Sequence, residues 1–65
     1  MTTNTDRVIE ALRRSRGLND DEVARQAGVE SVRETNLICR YLEILGKLRR
    51  RTGPEGKIIN ILMDT

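Results

Sequence analysis

Apolar residues fall along this chain in three clusters at helical spacing, followed by a stretch in which they alternate. In the first cluster Val8, Ile9, Ala11 and Leu12 recur on one side while Arg7, Glu10, Arg13 and Arg14 point to water, which predicts an amphipathic helix over about residues 5–16. Its basic end, Arg13, Arg14 and Arg16, suits a helix C-terminus, and Gly17 stops it. The second cluster opens on Asn19-Asp20-Asp21-Glu22, an N-cap with a glutamate three residues on. Val23, Ala24 and Ala27 then form a narrow face of small residues ending at Gly28, a short helix over about 20–27. The third starts at Ser31, again with a glutamate (Glu34) three residues later, and runs over about 32–45. Here Ile38, Tyr41, Leu42 and Leu45 follow i, i+3, i+4, i+7 and are the expected core stripe. Leu37 and Ile44 fall on one shoulder of that stripe, Cys39 on the other, and Arg33, Asn36, Arg40, Glu43 and Lys47 on the opposite side.

After Gly46 the period drops to two. Leu48 points inward while Lys47, Arg49 and Arg51 share the other face. Pro54-Glu55-Gly56 fits a three-residue hairpin loop with a bulge, the glycine supplying positive φ. The following β-branched run alternates Ile59, Ile61 and Met63 against Ile58, Asn60 and Leu62. Strands are therefore expected over about 47–52 and 57–63, with Leu18 adding a short third strand. The expected fold class is α+β: three helices and a C-terminal β-hairpin, one domain over residues 1–65.

Size limits what such a chain does alone. With 65 residues, 37 % of them hydrophobic and Tyr41 the single aromatic, burial barely offsets chain entropy, so a homodimer or a larger parent protein is an expected source of support. No apolar run approaches the ~20 residues that cross a membrane, and the first ten residues lack the apolar centre of a signal peptide. Cys39 has no second cysteine with which to form an intramolecular disulfide. The expected location is the reducing cytoplasm.

The net charge of +2 hides an asymmetry. Residues 1–30 hold five Arg against six Asp/Glu, while residues 31–65 hold seven Lys/Arg against four. From 47 to 57 the bases Lys47, Arg49, Arg50, Arg51 and Lys57 face only Glu55. A local basic patch on a nearly neutral chain points to a polyanion more specifically than a uniformly high charge does. Catalysis is not expected. The sequence has no His, so neither a histidine-based acid–base pair nor a His-containing metal site can form, and no phosphate-cradling glycine loop appears. No cofactor or metal is expected.

The segment from Asp20 to Leu37 resembles a helix-turn-helix. Val23, Ala24, Ala27, Gly28 and Val29 stand where that motif places apolar, small, apolar, glycine and apolar residues, and small residues let two helices cross closely. The turn Gly28-Val29-Glu30-Ser31-Val32 is longer than the shortest members allow, which keeps Glu34 out of an apolar position. With the hairpin included, nearly all of the chain resembles a winged helix-turn-helix. The subfamily that reads left-handed duplexes fits less well. Asn36 stands at its spacing from Gly46, but Arg40 occupies its tyrosine position and the hairpin lacks its paired prolines and tryptophan.

This resemblance implies that the third helix enters the major groove and the hairpin, or wing, follows the backbone or minor groove. Ser31, Arg33, Asn36 and Arg40 would then belong to the recognition helix, Arg forking onto guanine and Asn onto adenine. Lys47, Arg49, Arg50, Arg51 and Lys57 would hold phosphates. The expected partner is double-stranded DNA, in prokaryotic transcription regulation on the nucleoid or as the DNA-targeting module of a larger protein. The alternative is a winged helix used for protein–protein interaction or dimerisation, and Leu37, Ile44, Ile58 and Leu62 discriminate. Exposed together they favour a partner; covered by the first helix they leave the basic face as the binding surface.

Overall fold

A computed structural model describes residues 2–63. Helices α1 (Asn4–Arg14), α2 (Asp20–Ala27) and α3 (Val32–Ile44) precede a hairpin of β2 (Leu48–Thr52) and β3 (Ile58–Leu62), and a two-residue strand β1 (Leu18–Asn19) lies between α1 and α2. The fold is α+β, with the element order compatible with a winged helix-turn-helix. The sheet is antiparallel in the order β1-β3-β2, so the last strand is the central one.

Local chemistry explains the boundaries. Thr3 caps α1 reciprocally with Asp6, and Asn19 caps α2 reciprocally with Glu22. Gly28 closes α2 in the left-handed region at φ 73°, where its N–H donates to the Ala24 carbonyl. α1 stops at Arg14, earlier than the expected residue 16, because Ser15 is already extended. Ser31 caps α3 through its hydroxyl, which accepts from the Glu34 N–H at 3.0 Å. The reciprocal half is not made: the Glu34 carboxylate accepts from Asn4 Nδ2 at 2.6 Å and ties the start of α3 to the start of α1. The hairpin loop closes as expected. Gly53 N–H donates to the Lys57 carbonyl, Gly56 N–H to the Gly53 carbonyl, and Gly56 carries φ 79°. A side chain at position 53 would meet Ile59 Cγ2 at 2.9 Å, so the turn also needs that glycine for space.

The core gathers Val8, Ala11, Leu12, Leu18, Val23, Ala24, Val29, Cys39, Leu42 and Leu48 between the helices and one face of the sheet. The expected stripe of α3 requires a correction. Thr35, Cys39 and Leu42 are the buried positions, with Ile38 packed beside them, whereas Tyr41 is 57 % and Leu45 48 % exposed. The apolar positions of α3 spread over more than half of its circumference, so periodicity selects no single core stripe among them. Packing selects the smaller side chains, which let α3 approach α1 and the Val23–Ala24 face of α2. Thr35 tolerates burial because its hydroxyl donates to the Ser31 carbonyl at 3.1 Å.

Cys39 is fully buried. Burial first, and then the negative charge of Asp20, push its thiol up to about 11. Thiol reagents at pH 8 should therefore modify Cys39 only through unfolding, at least 100-fold more slowly than a free cysteine. The rate of disulfide-exchange labelling in rising urea checks this, and native labelling at the free rate contradicts it.

Candidate nucleic-acid interface

α3 presents two kinds of surface outside the core. At 100° per residue, Leu37, Tyr41 and Ile44 lie within about 60° of one another, opposite Thr35, Cys39 and Leu42. They form an outward ridge, with Leu37 57 %, Tyr41 57 % and Ile44 81 % exposed. Arg33 and Arg40, both exposed, flank it on the side that leads round to Asn36. Leu37 and Ile44 are thus not covered by α1, and Ile58 on the hairpin is 41 % exposed, while Leu62 packs against the core.

The hairpin sorts its bases by strand alternation. Arg49 and Arg51 stand opposite Ile61 and Ile59 on the face turned away from the helices, and both are exposed. Arg50 stands opposite Asn60 on the inner face and is largely enclosed, its side chain 10 % exposed. Lys47 and Lys57 are exposed at the two ends of the hairpin.

The inner face leads to a cluster centred on Asp20, the first residue of α2. Arg50 forks onto its carboxylate, Nη1 to Oδ1 at 3.1 Å and Nη2 to Oδ2 at 3.2 Å. Asn36 Nδ2 donates to Oδ2 at 2.7 Å and Asn60 Nδ2 to Oδ1 at 2.8 Å. Asn60, fully buried, also donates to the Leu18 carbonyl at 3.0 Å and accepts from Arg50 Nη1 at 3.1 Å. Burial alone would raise the Asp20 carboxyl, but the hydrogen bonds from Asn36, Asn60 and Arg50, with the Arg50 charge, outweigh it and hold the group below its ordinary 3.8. Among the described residues no buried side-chain polar atom lacks a partner. The cluster joins α2, α3, β2 and β3, and it borders an open groove of about 350 Å³ whose other walls include Asp21, Lys57 and Ile58.

Of the residues expected to meet DNA, Arg33, Arg40, Lys47, Arg49, Arg51 and Lys57 are exposed. None of them makes an ion pair among the described residues, where the pairs are Arg13–Glu10 and Arg50–Asp20. Ser31 is exposed but its hydroxyl is engaged as the α3 cap. Asn36 and Arg50 are committed to Asp20 and are not free side chains. Glu43, which the sequence places within reach of Lys47, accepts instead from the Arg50 backbone N–H at 3.3 Å. Sequence reasoning missed the Asp20 cluster, although Asn60 alone among isoleucines on a strand was a signal for it.

Among the described residues no helix is long and apolar enough to cross a membrane, and no group of His, Cys, Asp and Glu is arranged to hold a metal. Comparison with protein-family models, curated proteins and solved structures finds no match to any of them.

Proposed function

We propose that this domain binds duplex DNA as a winged helix, laying α3 in the major groove and the β2–β3 hairpin along the backbone. The observation that carries the reading is that α3 and the hairpin together present six exposed cations without a carboxylate partner among the described residues, Arg33 and Arg40 on α3 and Lys47, Arg49, Arg51 and Lys57 on the hairpin. Asp20, close to this surface, is neutralised by Arg50, whereas the exposed Glu43 meets only the Arg50 backbone N–H, keeps its charge and offsets one of the six. Unneutralised cations along a helix flank and an adjoining hairpin suit the regular charge of a duplex, and each phosphate engaged releases counterions. A helix about 10–12 Å across matches a major groove about 12 Å wide. The role is one of binding rather than catalysis, in transcription regulation or as a targeting module.

Anisotropy of a labelled random duplex at 50 and 200 mM salt tests this. If about five of the six cations meet phosphates, log K should fall with log[salt] at a slope of roughly −4 to −5. Absence of binding at 50 mM salt, or binding without salt dependence, removes the DNA reading. The exposed Leu37, Tyr41 and Ile44 favour a second one, a protein-interaction or dimerisation module, because contiguous exposed apolar surface marks a contact site. That reading is the one left standing by a null result.

A further inference from the structure

We infer that α3 reads duplex DNA by apolar contact with thymine C5-methyl groups, through the ridge Leu37, Tyr41 and Ile44. This rests on the duplex-binding reading above and specifies how it discriminates bases. A helix seated in the major groove turns its outermost face to the base edges and its flanks to the phosphates. On α3 the line opposite the buried Thr35, Cys39 and Leu42 runs through Leu37 and Ile44, with Arg33 and Arg40 on one side of it and Tyr41 on the other.

For Asn36 the hydrogen-bonding alternative is weakened by the same geometry. Forking onto adenine requires both the donor and the acceptor of an asparagine amide, and Asn36 already gives its Nδ2 to the Asp20 carboxylate at 2.7 Å. Reaching a base would cost it a charge-assisted hydrogen bond inside a satisfied cluster. Leu37 and Ile44 offer no hydrogen bond at all, so a polar base edge against them would lose its water without compensation. The thymine methyl is the apolar group that the major groove presents. At 1.5 Å per residue, Leu37 to Ile44 spans about 10.5 Å, or about three base-pair steps at 3.4 Å. The ridge therefore fits a short run of A·T pairs, gripped by Arg33 and Arg40 at the neighbouring backbone.

The test uses an A·T-rich duplex and the same duplex with every thymidine replaced by deoxyuridine, which keeps the Watson–Crick pairing and removes only the methyl. A buried methyl group contributes about fourfold in affinity, so the uracil duplex should bind about 15-fold more weakly if two are contacted, with an unchanged salt slope. Leu37→Ala with Ile44→Ala should erase most of that difference. In the reverse direction, 5-methylcytosine in place of cytosine in a G·C duplex should raise affinity, because it puts a methyl on the same groove edge. Equal binding of the thymine and uracil duplexes at a normal salt slope overturns methyl reading and leaves duplex binding intact. Binding of neither duplex overturns both and assigns the ridge to a protein partner.

Discussion

Asp20→Ala should be the most damaging single substitution considered for this protein, costing about 3–4 kcal/mol. The side chains of Arg50 and Asp20 are only 10 % and 17 % exposed, so removing the carboxylate strands a guanidinium with little water to replace it. Asn36 loses the bond its amide donates there, and Asn60 keeps its second bond to the Leu18 carbonyl. A 65-residue domain has roughly 3–10 kcal/mol in total, so the variant should be largely unfolded at 37 °C. Urea denaturation at 15 °C measures the loss. Adding Arg50→Met should recover about 1 kcal/mol or more, because it removes the stranded charge; a further loss on adding it would show that Arg50 is stabilised by something other than Asp20. The acid limb carries the same signature. The folded-state value of Asp20 lies below its ordinary 3.8, so its contribution is fully present above pH 4 and disappears as pH falls through the folded value. Asp20→Ala should therefore show a flatter loss of stability below pH 4 than the parent protein.

The largest effect expected on binding comes from Arg49→Ala with Arg51→Ala. Both side chains are exposed on the sheet face away from the helices, without an ion pair among the described residues, so their removal should change stability by less than about 0.5 kcal/mol. If each holds one phosphate, the salt slope should become less steep by about 1.8, and affinity at 0.1 M salt should fall about 60-fold. The loss should be uniform across sequences, since phosphates carry no base information. Thermal denaturation alongside anisotropy separates the outcomes. Unchanged affinity in a folded variant would remove the hairpin from the interface.

What the sequence discloses and what it hides divide along a physical line. Caps and tight turns are written in neighbouring residues, so Asn19 with Glu22, Gly28, and Pro54-Glu55-Gly56 were legible, and with them the element order. The rotation of α3 was not legible. Nine apolar or weakly polar positions from Val32 to Leu45 support more than one stripe, and the choice of Thr35 and Cys39 over Tyr41 and Leu45 depends on how closely α1 and α2 approach. The site divides similarly. The exposure of Arg49 and Arg51 follows from alternation about the inward Leu48, and the same alternation turns Arg50 inward, but its acid lies 30 residues away on another element. Asp20 read as a helix-start acid, which it also is, and nothing local marks it as the anchor of a hairpin.

Strand β1 has only two residues, yet by pairing with β3 it takes away the hairpin's freedom to swing. Hinging the hairpin off the helices would break the bond from Gly17 N–H to the Asn60 carbonyl and the one from Asn60 Nδ2 to the Leu18 carbonyl. The separation between the α3 flank and the hairpin bases is consequently set when the chain folds, like the jaws of a fixed gauge. A duplex bound across both would have to supply that spacing itself. Where its groove did not match, such a duplex would have to bend, at a cost of order 1–6 kcal/mol that depends on the stiffness of its base-pair steps.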